Sequence, residues 1–221
     1  MKLLLNAVIK FIFGALLIGS ILFLPAGTLR FPKAWLFIAL LFIPMLLLGA
    51  VLFVKAPDLL SKRLNSKEKE STQKGVVAIS ALMFILSFVI AGLDFRLGWS
   101  DIPLWLTVLS SIILLGSYIM YAEVMRENAY LSRTVEVQTG QKVIDTGLYG
   151  IIRHPMYSAT IMLYLAIPII LGSWIAFIIM LSYPIIIVIR IMNEEKVLTE
   201  GLEGYRVYKK KVKYRLIPFV W

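Results

Sequence analysis

The amino-acid sequence predicts an all-α integral membrane protein with about six transmembrane helices, a polar cytoplasmic cap and a C-terminal amphipathic helix. This prediction follows from the composition, from long apolar runs and from the placement of basic residues. Of the 221 residues, 60% are hydrophobic and 16% are charged, whereas soluble domains average about 45–50% apolar and about 25% charged residues. Because the apolar residues fall into runs, they are expected to face lipid.

The first four apolar runs are long enough to cross a bilayer, which takes about 20 residues. They cover approximately residues 3–27, 34–54, 76–93 and 102–121. The first run exceeds the apolar region of a secretory signal peptide, which is about 7–15 residues, so we expect a retained helix. A proline inside the second run is expected to kink that helix. Residues 1–121 are therefore predicted to form four N-terminal transmembrane helices.

Two shorter apolar runs predict a helical hairpin over residues 157–190. The runs cover residues 157–171 and 174–189 and flank a Gly-Ser pair. Each spans about 22 Å at 1.5 Å per residue, which barely crosses a hydrocarbon core of about 30 Å. We expect a tight hairpin that is kinked at the proline in each run. A re-entrant hairpin that stops short of the far side is the alternative.

The basic residues predict the orientation in the membrane. A basic loop at residues 55–75 carries six Lys or Arg residues against three acids. Cytoplasmic loops are enriched in Lys and Arg, so we place this loop, both termini and the polar segment 122–153 in the cytoplasm. The same bias accounts for the net charge of +10. We expect no nucleic-acid partner, because no aromatic-rich polar domain accompanies the basic residues.

Two residue counts restrict the possible chemistry. The chain has no cysteine, which excludes disulfides, Cys-based metal sites and Cys nucleophiles. Its single histidine, His154, excludes a His-rich metal site. We therefore expect no metal.

The polar tail predicts an amphipathic helix. Apolar residues recur there at steps of three or four, beside several lysines: Leu198, Leu202, Tyr205, Tyr208 and Val212. Such a helix could lie on an anionic membrane surface. Residues 122–221 are thus predicted to form a second unit, which consists of a cytoplasmic segment, the hairpin and this tail.

Two polar motifs flank the predicted hairpin. Residues 146–157 read TGLYGIIRHPMY and residues 190–195 read RIMNEE. Taken singly, their residues have ordinary interpretations, such as a glycine turn, a proline at a helix start or an Arg190–Glu194 pair one helical turn apart. A closed hairpin returns to the same membrane face, so the motifs become neighbours. Because ionisable groups near the membrane are costly, their convergence favours one functional site.

These motifs resemble those of a known family. Gly-x-Tyr-x-x-x-Arg-His-Pro-x-Tyr precedes an apolar hairpin, then Arg-x-x-x-Glu-Glu and a basic Arg-x-x-Pro ending, all within about residues 133–218. This order resembles the isoprenylcysteine carboxyl methyltransferase superfamily, and phospholipid N-methyltransferases share part of it. The Pro-Asp-Leu-Leu sequence at residues 57–60 looks like the bacterial branch. The resemblance implies a membrane methyltransferase with a cytoplasmic cap that binds S-adenosylmethionine.

The resemblance also implies site residues by position. Cofactor contacts are implied for Gln141, Lys142, Val143, Ile144, Tyr149, His154, Pro155, Met156, Tyr157 and Glu194. Arg190 is implied to be the catalytic residue that binds the substrate. The implied acceptor is lipid-like or prenylated and enters from the bilayer. Because Arg suits bidentate binding of carboxylates, methyl ester formation is favoured.

Two alternatives remain open. The acceptor could be the amine of a phospholipid headgroup, for which an Arg is a poor neighbour. The chain could also be a non-enzymatic membrane protein, such as a small transporter. Transporters often carry broken helices in two matching halves, whereas this sequence has one hairpin and no matching half. The enzyme is therefore the favoured hypothesis, with the acceptor atom and the oligomeric state left open.

Overall fold

The computed structural model describes residues 2–65 and 71–221, and within these ranges it contains helices and no β-strand. The helices are α1 (Lys2–Ala26), α2 (Pro32–Lys55), α3 (Pro57–Leu64), α4 (Ser71–Leu97), α5 (Leu104–Glu127), α6 (Pro155–Leu171), α7 (Trp174–Met180), α8 (Ser182–Gly201) and α9 (Tyr205–Lys211). A 3₁₀ turn covers Gly147–Gly150. The basic loop predicted at residues 55–75 contains α3, and its residues 66–70 lie outside the described ranges.

The long helices have the length and composition of membrane spans. Among the described residues, five segments qualify: α1, α2, α4 from Gln73, α5, and α7 together with α8. Helix α6 is equally apolar but has only 17 residues. The prediction of an all-helical, multi-pass membrane protein is confirmed. The predicted six apolar spans correspond to these five segments and the shorter α6.

The hairpin turns where the sequence predicts it. Gly172 ends α6 with a left-handed φ of 90°, a conformation that glycine adopts without strain. The Ser173 hydroxyl then caps α7 by accepting a bond from the Ala176 amide at 3.0 Å. The expected kink at Pro184 takes the form of a break between α7 and α8. Because Pro184 has no N–H to donate to the carbonyl of Met180, the helix is interrupted there.

The core lies where α1, α2, α4, α5 and α6 meet. It is built from Leu22, Phe31, Phe37, Phe88, Leu114, Ile167 and Ile170, all 6% exposed or less. Helices α1 and α4 approach closely, since a Cβ atom at Gly92 would lie 2.5 Å from the carbonyl oxygen of Leu22. Large apolar side chains on the outer helix faces remain exposed, as Leu16 and Leu24 do. That distribution suits a bundle surrounded by lipid.

One end of the bundle gathers α3, α9 and the cap segment, by which we mean residues 128–154. The Lys62 ammonium donates to the carbonyl of Ala129 at 3.2 Å, and Arg63 donates to that of Ser132 at 3.2 Å. These contacts fasten α3 to the cap segment. We call this end of the bundle the cap end.

The tail differs from the sequence prediction. Helix α8 continues to Gly201, and the chain then turns at Gly204, which has a left-handed φ of 81°. Only seven residues follow as α9. The apolar face predicted to lie on the membrane is buried against the cap segment instead, where Leu202, Tyr205, Tyr208 and Val212 pack on Val137 and Val143. The expectation of a surface-bound helix is therefore wrong, because protein covers this face.

Candidate active site

A cavity at the cap end is enclosed by the cap segment, the start of α6, the last turns of α8 and α9. It contains about 840 Å³ of space that no atom fills, part of it open to solvent. With one exception, every residue predicted for the site lines this cavity: Gln141, Lys142, Val143, Ile144, Tyr149, His154, Met156, Tyr157, Arg190 and Glu194. The exception, Pro155, is buried and begins α6.

Three of these side chains form a hydrogen-bonded row along the cavity wall. Arg190 Nε donates to the Tyr157 hydroxyl at 2.8 Å, and that hydroxyl donates to the Glu194 carboxylate. A second guanidinium nitrogen of Arg190 donates to the carbonyl of Arg133 at 2.7 Å. Residues 190 and 194 lie one helical turn apart on α8, so they share a face. The row therefore holds a cation and an acid at fixed positions beside the same cavity.

The Gly-x-Tyr turn places a buried tyrosine in the cavity wall. Gly147 has a left-handed φ of 50°, and a Cβ atom there would lie 1.8 Å from a carboxylate oxygen of Glu127. Tyr149 accepts a bond from the side-chain amide of Asn128 at 3.0 Å. Its own carbonyl accepts one from the Tyr208 hydroxyl at 2.8 Å. Burial raises the pKa of Tyr149, so it stays a neutral phenol at physiological pH.

A second acid, Glu195, ties the Arg-His-Pro motif to the tail. Its side chain is 4% exposed and accepts from Arg153 Nε at 2.7 Å. His154 Nε2 lies 3.3 Å from the same oxygen, and Arg215 Nε donates to the other oxygen at 3.2 Å. Arg153 also donates to the carbonyls of Val212 and Lys213, at 2.6 and 2.8 Å. We call Glu195, Arg153, His154 and Arg215 the tail latch.

The donor set fits S-adenosylmethionine, which combines an adenine ring, ribose hydroxyls, an amino-acid end and a sulfonium cation. The Tyr205 hydroxyl is buried, and among the described residues it has no hydrogen-bond partner. Since Tyr205 lines the cavity, a polar ligand would satisfy it. Aromatic faces suit adenine and the cation, and the Glu194 carboxylate suits hydroxyl or ammonium donors. Within the described residues, no group of three or more His, Cys, Asp or Glu is arranged to hold a metal.

Sequence reasoning did not predict several residues that line the cavity. They are Asn128, Tyr130, Leu131, Ser132, Thr134, Val135, Glu136, Arg153, Leu198, Leu202, Tyr205 and Tyr208. Those in the cap segment belong to no recognisable motif and have no helical periodicity. The tyrosines of α9 belong to the apolar stripe that the sequence predicts to face the membrane surface. Arg153 stands inside the recognised Arg-His-Pro motif, and that position was the available signal.

Comparisons with known proteins agree with the sequence motifs. Residues 107–200 match the model of the isoprenylcysteine carboxyl methyltransferase (ICMT) family. A comparison with curated proteins finds no match. A solved structure of the eukaryotic intramembrane Ras methyltransferase ICMT without a monobody is similar, with a TM-score of 0.49, 18% identity, and coverage of 100% of this chain and 88% of that chain. The matched segment contains both motifs, so residues 107–200 are similar to the isoprenylcysteine carboxyl methyltransferase family.

Proposed function

We propose that this chain is a membrane methyltransferase that uses S-adenosylmethionine to methylate the carboxylate of a lipophilic, isoprenylcysteine-like acceptor. The row Arg190–Tyr157–Glu194 carries this proposal. It joins a cation suited to a carboxylate with an acid suited to the cofactor, and the aromatic ring between them separates the two. The family match to residues 107–200 supports methyl transfer.

The cofactor half of the cavity is assigned to Glu194, Tyr149 and His154. When bound, S-adenosylmethionine supplies an electrophilic methyl group on a sulfonium. Glu194 accepts hydrogen bonds from ribose hydroxyls or from the ammonium group, and Tyr149 offers a neutral, buried ring. His154 is held by Glu195, so its ring keeps one orientation against the ligand. These residues bind and orient, and they transfer no proton.

The acceptor half is assigned to Arg190. Its guanidinium would hold the acceptor carboxylate, one oxygen of which would receive the methyl group that bound S-adenosylmethionine supplies, with S-adenosylhomocysteine as the leaving group. An ionised carboxylate has no proton to lose, so the site needs no general base. Alignment of the two reactants is the main task, since correct positioning alone is worth several kcal/mol. Arg190 suits this role because Tyr157 and the Arg133 carbonyl hold its guanidinium in place.

Transfer of a labelled methyl group tests the proposal. Purified protein in detergent is incubated with labelled cofactor and N-acetyl-S-farnesylcysteine, or with total membrane lipid. We expect a base-labile methyl ester on the carboxylate acceptor. Label on a phospholipid amine would instead favour the alternative acceptor. Failure of S-adenosylhomocysteine to bind, together with no labelled product, would contradict an enzymatic role.

Substitution of Arg190 tests the assignment of the acceptor half. We expect Arg190→Ala to lower turnover about 10- to 150-fold, the loss for a charge-assisted bond of about 1.5–3 kcal/mol. Affinity for S-adenosylhomocysteine should change little. Arg190→Lys should restore activity only partly, because an ammonium lacks the planar fork. Full activity in Arg190→Ala would contradict a carboxylate acceptor bound there.

A further inference from the structure

We propose that residues 216–221, which we call the apolar loop, insert into the headgroup region of the membrane leaflet at the cap end. The loop has the sequence LIPFVW. It lies outside residues 107–200, the segment that matches the family model. The partner in this inference is a lipid surface, so the inference does not depend on the proposed methyl transfer.

The first observation is the depth at which the apolar loop is fixed. The Leu216 carbonyl accepts a bond from the Ser158 hydroxyl at 2.7 Å, and Ser158 lies in the first turn of α6. At the far end of α6, Ser173 donates to Asp94 near the end of α4, so the hairpin reaches the opposite membrane face. The 17 residues of α6 extend about 25 Å at 1.5 Å per residue, less than a hydrocarbon core of about 30 Å. The first turn of α6, and the loop bound to it, therefore lie at the boundary of the core.

Two side chains anchor the apolar loop to the membrane-spanning part of the bundle. Leu216 is buried, and it belongs with the partly buried Trp221 to an apolar cluster built from α4, α6 and α8. Met83 and Ile186 of this cluster lie in segments that have the length and composition of membrane spans. Both ends of the loop are therefore held against spanning helices.

The residues between these anchors expose apolar side chains. Ile217, Phe219 and Val220 are 55%, 87% and 74% exposed. Phe219 has a left-handed φ of 66°, and among the described residues it is the only non-glycine residue with a positive φ. A bulky residue adopts this conformation at a cost. The backbone amides of residues 215–217 fix the loop by donating to the Trp221 carbonyl at 2.8, 2.9 and 3.2 Å. The loop therefore maintains a strained conformation that points large apolar groups away from the protein.

The surroundings of the apolar loop suit the interface between lipid and water. Tyr214 packs on Phe219 with ring centroids 5.3 Å apart, and the Arg215 guanidinium lies 4.8 Å from the centre of the Trp221 ring. Tyr and Trp are enriched at membrane interfaces. Residues 205–221 contain six Lys or Arg residues and no acid, so this part of the chain is attracted to anionic headgroups. Exposed apolar groups beside basic residues are the combination that binds a lipid surface.

The competing explanation is that a second copy of this chain covers the apolar loop. A contact between copies would bury the same side chains but would keep lipid away from them. Val207 provides a matched control, because it is also a valine and is 71% exposed, against 74% for Val220. It lies on α9, whose tyrosines pack on the cap segment, so we expect it to face water. Leu16, which is 66% exposed near the middle of α1, provides a reference within the acyl chains.

The experiment measures the depth of each position with a fluorophore and quenching lipids. Val220→Cys, Val207→Cys and Leu16→Cys are made in this Cys-free chain, labelled with an environment-sensitive dye and placed in nanodiscs that hold one copy each. The nanodiscs contain phosphatidylcholine and phosphatidylglycerol, with a spin label near the headgroup or near the end of an acyl chain. We expect the shallow label to quench the Val220 probe more than the deep label does, because interfacial segments insert about 5–10 Å. The deep label should quench the Leu16 probe more, and neither label should quench the Val207 probe.

Three outcomes would overturn the inference. Weak and equal quenching at Val220 and Val207 would place the apolar loop in water. Blue-shifted emission from the Val220 probe without quenching would show that protein covers the loop. Stronger quenching of that probe by the deep label would place the loop among the acyl chains instead of the headgroups.

A second measurement tests the same contact without a label. In nanodiscs, Val220→Asp should lower the melting temperature more than Val207→Asp does, because only the first variant places a carboxylate against acyl chains. Equal shifts in the two variants would contradict insertion of the loop. Both measurements use the protein without cofactor or acceptor, so a failure of the proposed function would leave their results unchanged.

Discussion

Removal of the Glu195 carboxylate should break the tail latch and lower the free energy of unfolding. The burial of the latch residues sets the size of this loss. The side chains of Glu195 and Arg153 are each 4% exposed and lie 2.7 Å apart. Removing one partner of a buried pair costs about 3–5 kcal/mol, because the other charge remains buried. Arg215 adds a bond at 3.2 Å from a side chain that is 25% exposed, which screening weakens. We therefore expect Glu195→Ala to lower the free energy of unfolding by about 3–5 kcal/mol.

Denaturant titration in detergent, followed by tryptophan fluorescence, measures this loss. Glu194→Gln is the matched control, because the adjacent carboxylate contacts Tyr157 and takes no part in the tail latch. That control should change the free energy of unfolding by less than about 0.5 kcal/mol, because the amide oxygen of glutamine can still accept the bond from the Tyr157 hydroxyl. Its affinity for S-adenosylhomocysteine should fall at least about tenfold, or 1.4 kcal/mol. A loss below about 1 kcal/mol in Glu195→Ala would refute the assignment of the latch, since it is smaller than a lost buried pair allows.

Three further predictions concern orientation, the polar row and the glycine turn. Single cysteines are introduced into this Cys-free chain in place of the exposed residues Thr139 and Asp101. A membrane-impermeant reagent should label them from opposite sides of the membrane, Thr139 from the cytoplasm. Labelling of both from the same side would contradict the predicted topology. Tyr157→Phe should lower turnover at least about tenfold, because it removes the hydroxyl that bonds to both charged side chains, Arg190 and Glu194; unchanged turnover would show that this hydroxyl does not position Arg190 for the reaction. Gly147→Ala should cost more in melting temperature than Gly140→Ala, because both need a left-handed φ but only Gly147 faces another side chain within 4 Å; equal losses would count against the close approach.

The membrane fold was predictable because its signal is local. Apolar runs and basic loops report directly on the lipid and water that surround each segment. The hairpin was predictable for the same reason, since Gly172 and Ser173 interrupt two apolar runs at one place. What the runs could not show is that α7 and α8 are separate helices. A proline near a helix start and a proline that breaks a helix look alike in a sequence.

The tail was predicted less well because its partner is remote in sequence. The stripe of Leu202, Tyr205 and Tyr208 looks the same whether membrane or protein covers it. The structure covers it with Val137 and Val143, about 65 residues earlier along the chain. The cap segment has no helix or strand of its own between α5 and the 3₁₀ turn. The spacing of its apolar residues therefore predicts no secondary structure there. The fold places its polar residues beside the motifs.

Two adjacent acids in the second half of α8, Glu194 and Glu195, connect the cavity wall to the tail. Successive helical residues point about 100° apart, so Glu194 and Glu195 cannot face the same group. Glu194 meets Tyr157 in the cavity wall, while Glu195 meets Arg153 and Arg215. The amides of Arg153 and His154 also donate to tail carbonyls, each at 2.9 Å. Because both acids lie on the same turn of α8, a shift of this turn would move both of them. The contacts of the tail and the geometry of the cavity wall are therefore coupled. A buried ion pair contributes little net stability relative to apolar residues of similar volume, so we infer that this pair fixes the position of His154 and the start of α6.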